Sequence, residues 1–277
     1  MVDLDSERSC KQIEGRESKT MSYAINKGVR IHYEIVGNGP PLILQHGFTQ
    51  SVKDWHRAGY VEVLKPHYQL ILVDARGHGE SDKPHDAAAY TLSSRVNDIV
   101  AVMDSIGILR ANYWGYSMGG WIGFGMAMEA RARLRAIIIG GQHPYGRKMP
   151  PGPDGSDAKE FITSFLKRVG VDFDALRVED KEQLLASDCR ALAAAQQDRA
   201  SLEPFLPAMT MPCLLYAGEA DDVFPKAQKS ATLLPKCTFV PFPGIDHWSA
   251  FYKAKIILPH VLNFLRNAEA GAGCVVG

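Results

Sequence analysis

Three features of the sequence predict an α/β protein with a mostly parallel central sheet flanked by helices. Short continuous apolar runs, of the kind buried on both faces of a sheet, alternate with stretches of helical spacing. Several of these runs end in glycine-rich or polar loops that carry reactive side chains. One long stretch in the second half has helical patterns but no strand signal, which reads as an insertion between two strands. Alternation of this kind implies right-handed crossovers between neighbouring parallel strands.

The elements follow in order. Residues 1–20 are charged, Ser-containing and aperiodic, the composition of a disordered extension or an expression remnant. Ser22 to Ile25 and Val29 to Val36 are β-rich and flank Asn26-Lys27-Gly28, a hairpin signal. After the break at Gly37 to Pro41, Leu42-Ile43-Leu44-Gln45 is a buried strand that delivers the chain to His46-Gly47-Phe48. Leu70 to Val73 is the next, ending in Asp74-Ala75-Arg76-Gly77-His78-Gly79-Glu80-Ser81. Ser93 to Ile106 has helical spacing, with Ser93 or Ser94 as N-cap and Gly107 as the stop. Ala111 to Trp114 is a short strand, Trp121 to Glu129 a proline-free apolar helix, and Ala136 to Gly141 a further strand.

From His143 the rhythm breaks at a proline-rich loop. Helical patterns then run through Ala158 to Val169, Val178 to Ala186 and Cys189 to Gln197. The sheet resumes at Cys213 to Ala217 and Thr238 to Phe242, and an amphipathic helix from about Lys253 to Leu265 closes the domain. The expected organisation is therefore a core over 21–142 and 211–268, a helical cap over 143–210 and a flexible tail over 269–277.

Bulk properties exclude several classes. A chain of 277 residues can bury one sizeable core, and 46% hydrophobic with 22% charged residues is globular. Lys+Arg and Asp+Glu balance at 31 each, so no overall field draws nucleic acid or an anionic membrane. With no apolar run of bilayer length and a polar amino terminus, a cytoplasmic protein without a membrane partner is expected, as monomer or homodimer. The five cysteines, Cys10, Cys189, Cys213, Cys237 and Cys274, are scattered and form no C-x-x-C pair. Reduced thiols are expected, two of them core residues in strands. Cys274-Val275-Val276-Gly277 has the outline of a prenylation box, but terminal Gly suits it poorly and no polybasic segment precedes it, so it reads as a frayed tail. Neither His143 nor Glu129 has metal-ligand spacing, so no metal or cofactor is expected and chelators should leave activity intact. Inactivation reversed by added zinc would refute this.

Gly115-Tyr116-Ser117-Met118-Gly119 stands between a strand and a helix, the context of a nucleophile elbow. Small neighbours permit the sharp turn, and the helix start aims free N–H groups at an anion forming beside Ser117. Asp221 follows a later strand and His247 the last, so all three lie at carboxyl ends of one parallel sheet. A serine hydroxyl is a poor nucleophile unless a base takes its proton, and an imidazole, titrating ordinarily near pH 6.5, suits that task. Activity is accordingly expected to rise from acid to neutral pH, and a flat profile would count against an imidazole base.

Gln45-His46-Gly47-Phe48, Asp74-x-Arg76-Gly77-His78-Gly79-x-Ser81, Gly115-x-Ser117-Met118-Gly119-Gly120, Gly218-x-x-Asp221-x-x-x-Pro225 and Gly244-x-x-His247-Trp248 occur in an order that resembles the α/β-hydrolase superfamily, in its cap-bearing branch. The resemblance, to serine esterases and lactonases such as enol-lactonases and to carbon–carbon bond hydrolases, runs from about Tyr23 to Phe264. It implies an α/β-hydrolase fold with a small helical cap, and a catalytic triad of Ser117, His247 and Asp221. The backbone N–H groups of Phe48 and Met118 would form the oxyanion hole. Asp221 is preferred to the adjacent Asp222 by its spacing from Gly218 and Pro225. His46 and His78 are expected to be scaffold residues, and Asp74 with Arg76 to be an ion pair near a turn. Trp55, Tyr116, Tyr145 and Trp248 are candidates to line an acyl pocket.

Serine at the nucleophile position argues against the dehalogenase and epoxide-hydrolase branches, which use a carboxylate. Ester or lactone hydrolysis comes first, carbon–carbon bond hydrolysis of a vinylogous diketone second, and perhydrolysis is a side activity of the same site. A ligand receptor that keeps the triad is the non-enzymatic alternative. No Arg is placed by motif for a substrate carboxylate, so a small, uncharged and partly apolar substrate is expected.

Overall fold

The structure, a computed structural model, describes residues 22–150 and 152–272. The expectations for residues 1–20 and for the Cys274 box lie outside the described residues, as do Cys10 and Cys274. Among the described residues eight strands form one sheet: β1 (Ser22–Asn26), β2 (Val29–Val36), β3 (Pro41–Gln45), β4 (Gln69–Val73), β5 (Ala111–Tyr116), β6 (Leu134–Gly140), β7 (Cys213–Gly218) and β8 (Cys237–Phe242). Their order across the sheet is β1-β2-β4-β3-β5-β6-β7-β8. The first hairpin and the β2–β4 pair are antiparallel, and every pair from β4 to β8 is parallel.

Among the described residues ten α-helices surround the sheet: α1 (Val52–Arg57), α2 (Tyr60–Leu64), α3 (Leu92–Ser105), α4 (Met118–Glu129), α5 (Ala158–Arg168), α6 (Val178–Leu185), α7 (Cys189–Ala195), α8 (Phe224–Ala231), α9 (His247–Tyr252) and α10 (Ala254–Ala272). One sheet face packs on α3 and α4 through Ile43, Ile71, Tyr113 and Ile137. The opposite face, with Leu42, Leu72, Trp114 and Ile138, packs on α1, α2, α9 and α10. Burial on both sides is why β3 to β6 read as unbroken apolar runs. The insertion helices α5 to α7 lie between β6 and β7 and have their own small core of Phe161, Ile162, Leu166, Leu184 and Leu192.

Some boundaries differ from expectation. Thr91, not Ser93 or Ser94, caps α3: its hydroxyl accepts the Ser94 N–H. The last helix runs on to residue 272, through Pro259 and the first four residues of the stretch expected to be a flexible tail. Its apolar face follows the sheet, so packing outweighs the proline. Cys189 and Cys213 are buried free thiols; Cys213 and Cys237 lie side by side on β7 and β8 without a bridge. Among the described residues no helix is long and apolar enough to cross a membrane.

Candidate active site

β5 runs without interruption into Ser117, whose backbone takes φ 50° and ψ −110°, a left-handed conformation that non-glycine residues rarely adopt. The chain then enters α4 at once. Two glycines allow this turn for steric reasons. A Cβ on Gly115 would lie 2.2 Å from the Gly119 carbonyl oxygen, and one on Gly119 would lie 2.1 Å from that of Gln45. The Ser117 N–H donates to Gly140 O (2.8 Å), and Tyr113 Oη donates to Gly119 O (2.7 Å), so the neighbouring β6 and β5 itself fix the bend.

His247 begins α9, and Asp221 sits in the turn after β7. The imidazole Nε2 is 2.9 Å from Ser117 Oγ, and Nδ1 is 2.6 Å from Asp221 Oδ2. Asp221 is buried, and its second oxygen accepts the Val223 N–H at 3.0 Å. The neighbouring Asp222 is exposed. Tyr116 Oη donates to the His247 carbonyl and its ring lies against the imidazole, which secures the histidine from behind. Three side chains from distant parts of the chain thus form one continuous hydrogen-bonded relay.

The loop after β3 comes close to the same point. A Cβ on Gly47 would be 3.4 Å from Ser117 Cβ. Gln50 holds this loop by accepting the Gly47 N–H (2.8 Å), and Thr49 takes a left-handed φ of 65°. His46 is fully buried; its Nε2 accepts the Ala75 N–H (3.0 Å), so Nδ1 carries the proton and donates to Gly47 O (2.7 Å). Burial pulls its pKa down, and that of His78 further, so both stay neutral braces. Phe48 presents its N–H in this loop, while its ring packs on Phe165 of the insertion. Met118 is the first residue of α4, with no preceding helical turn to accept its N–H. Gln142 was not legible as a site residue: its amide donates to Ser117 O (3.0 Å) and accepts the His143 N–H (2.9 Å).

The expected Asp74–Arg76 pair does not form. Arg76 makes a two-pronged bridge to Asp98 on α3 (2.7 and 2.6 Å), and Asp74 instead accepts from the Val52 N–H, the Glu80 N–H and His32 Nδ1. The tight turn at Gly79 explains the difference, because it folds the loop back onto the Asp74 carboxylate. Burial alone would raise the Asp74 pKa, but these donors and nearby His46 hold it below its ordinary value. Asp74→Asn is therefore expected to cost about 2–4 kcal/mol in urea unfolding at neutral pH. A group whose folded pKa is depressed stabilises above its unfolded pKa, so this difference should shrink as pH falls through the folded value. An equal loss at every pH would refute the charge-based account.

A cavity of about 410 Å³ opens over Ser117 and His247 and reaches under the insertion. Tyr145 lines it, and the Tyr145 hydroxyl is buried without a hydrogen-bond partner among the described residues. The other aromatic candidates do not line it. Trp55 is fully buried against Tyr60, Trp114 and Phe251, because α1 turns its apolar side to the sheet. Tyr116 points into the core behind His247, since adjacent strand residues face opposite sides. Trp248 packs against Tyr252 and the insertion core. The cavity wall also carries Arg147, Arg168, Arg199 and Lys226. These cations come from the insertion, its stems and α8, where no motif marks them. Among the described residues no group of three His, Cys, Asp or Glu could hold a metal ion.

A sheet of this order, with a serine at a strained strand-to-helix turn facing a histidine and an aspartate from later loops, defines a class. The family described as alpha/beta hydrolase fold matches residues 40–169. The chain has the α/β-hydrolase fold. It is 30% identical over 135 residues to bifunctional epoxide hydrolase 2 of Mus musculus, a match spanning 49% of this chain and 24% of that protein. It is 28% identical over 186 residues to epoxide hydrolase 3 of Siraitia grosvenorii, spanning 65% of this chain and 56% of that one. The chain thus spans less than two thirds of the length of these relatives. Among solved structures, an enol-lactonase from Burkholderia xenovorans superimposes with a TM-score of 0.72 at 22% identity, over 88% of this chain and 100% of its own. An esterase from Rhodococcus sp. ECU1013 gives 0.75 at 23% identity, over 89% and 98%. Likeness at that identity establishes the fold.

Proposed function

We propose that this protein is a serine hydrolase that cleaves a carboxylic ester or lactone through an acyl-enzyme. The observation that carries the proposal is the relay from Ser117 Oγ through His247 to Asp221, at 2.9 and 2.6 Å. In the first half-reaction Ser117 Oγ attacks the acyl carbon while His247 Nε2 takes its proton. Collapse of the tetrahedral adduct breaks the bond to the alkoxy oxygen, and His247 returns the proton to it. Water then repeats the sequence on the acyl-enzyme, releasing the acid and freeing Ser117. Asp221 keeps the imidazole in the tautomer with Nε2 unprotonated and stabilises the imidazolium, remaining ionised throughout. The oxyanion is received by the N–H groups of Phe48 and Met118, each worth about 3–4 kcal/mol of transition-state stabilisation.

Several relatives are named as epoxide hydrolases, but here a serine stands at the turn where an alkyl ester would need a carboxylate nucleophile. Carbon–carbon bond hydrolysis remains the second reading, because the same three residues can serve it. A fluorophosphonate probe should label the protein once, with the adduct mapped to Ser117, and p-nitrophenyl butyrate should be turned over repeatedly. Binding without product release would instead indicate a ligand receptor, and labelling elsewhere would reject Ser117.

A further inference from the structure

We infer that the substrate carries a carboxylate away from its scissile acyl group, held in the cavity by Arg199 and Arg147. This rests on the hydrolase reading above and narrows its substrate class. Arg147 and Arg199 face each other across an antiparallel bridge whose two backbone hydrogen bonds measure 2.9 and 2.8 Å, so their side chains leave adjacent points of the cavity wall. Arg168 lines the same wall and spends one N–H on Gln196 Oε1 (2.7 Å). None of the three pairs with a carboxylate among the described residues, although Lys148, next to Arg147, bridges to Asp198 at 2.7 Å.

Arginines this close together, without a counter-charge, repel one another. Arg199 opens partly into the cavity and is otherwise enclosed, its guanidinium against the Trp121 ring. Loss of hydration, then the neighbouring Arg95 and Arg147, pull its pKa down to about 9. Arg95, buried behind Met118, spends its N–H groups on the carbonyls of Tyr90 and Ala195 and on the Met118 sulfur. The cationic field reaches His143 as well: burial, then Lys226, Arg199 and Arg147, push its pKa down to about 4. Because His143 Nδ1 accepts the Tyr145 N–H (3.2 Å), the neutral ring carries its proton on Nε2, one more donor at the cavity. The amide nitrogen of Gln196 and the hydroxyl of Tyr145 are buried there without hydrogen-bond partners among the described residues.

The carboxylates bordering the cavity do not offset this. Asp221 is engaged by His247, Asp246 caps α9 through Ser249, and the exposed Asp222 makes no ion pair with the four cations. Donors and positive charge therefore converge on one wall with no carboxylate paired to them among the described residues, while the nucleophile stands elsewhere in the same cavity. A planar carboxylate matches the arginine fork, and placing it there relieves the repulsion.

The test compares mono-p-nitrophenyl glutarate with p-nitrophenyl butyrate. The ratio of kcat/KM, anionic over neutral, should be about tenfold in favour of the anionic ester at low salt, and should fall by about tenfold in Arg199→Gln and in Arg147→Gln. Arg147 is exposed, so its variant decides the matter if Arg199→Gln fails to fold. A ratio of one or below, unmoved by Arg147→Gln, would overturn the inference while leaving the hydrolase reading intact. If neither ester is turned over, the hydrolase reading fails, and calorimetry with glutarate on Ser117→Ala protein decides the inference separately. Binding weakened by Arg147→Gln supports it. No binding, or inorganic phosphate binding as tightly as glutarate, refutes the carboxylate assignment.

Discussion

Ser117→Ala is expected to lower kcat for p-nitrophenyl butyrate by about a million-fold while leaving the unfolding midpoint within a few degrees of the parent. In the proposed mechanism removal of one oxygen disables the whole relay, because proton transfer by His247 and orientation by Asp221 would act only through that hydroxyl. His247→Ala should cost nearly as much, and the double variant little more than either single one. Additive losses would mean that the two side chains work in separate steps. Asp221→Asn should lower kcat by about ten-thousand-fold, since the amide favours the wrong tautomer of His247. An activity that survives Ser117→Ala would end the hydrolase account, whatever the geometry of the remaining residues.

Gly119→Ala is the second large effect, and it concerns folding as much as rate. The added Cβ would stand 2.1 Å from Gln45 O and 2.9 Å from His46 O, both backbone atoms that cannot rotate away. The helix and the loop carrying Phe48 must therefore separate, at about 3 kcal/mol or more. Gly107→Ala supplies the comparison. It meets no atom within 4 Å and is strained only by its φ of 70°, so about 1 kcal/mol is expected in urea unfolding. Equal losses in the two variants would show that the close approach at the elbow is unimportant.

The relay was legible because its members follow strands and stand in local patterns. Ser117 sits between two glycines, and Asp221 and His247 each lie a fixed distance after a glycine. Elements buried on both faces were equally legible, and β2 matched to the residue. Four short helices were missed: α1, α2, α8 and α9 have between five and eight residues, where periodicity is a weak signal, although α6 and α7, of eight and seven residues, were read from their patterns. Aromatic residues near a motif were poor guides to the cavity wall. Tyr116 precedes Ser117 and Trp55 follows the His46-Gly47-Phe48 loop, but strand alternation and the apolar side of α1 turn both into the core. The partner of Arg76 was missed for a related reason. Asp98 is 22 residues away and is brought close only when α3 packs on the hairpin, where Asn26 also reaches it. The arginines on the cavity wall carry no local signature, since the contact between Arg147 and Arg199 depends on both ends of the insertion returning to one place.

That return also makes the insertion a cassette. Its two stems are hydrogen-bonded to each other at Arg147 and Arg199, and Asp198 further ties the outgoing stem to Met149. The gap that the sheet must bridge is thus set at the base and does not depend on what is threaded beyond it. Longer, shorter or unrelated sequences could be grafted between those anchor points without retuning the strands below, which makes the segment a natural place for recombination between homologues and for library design.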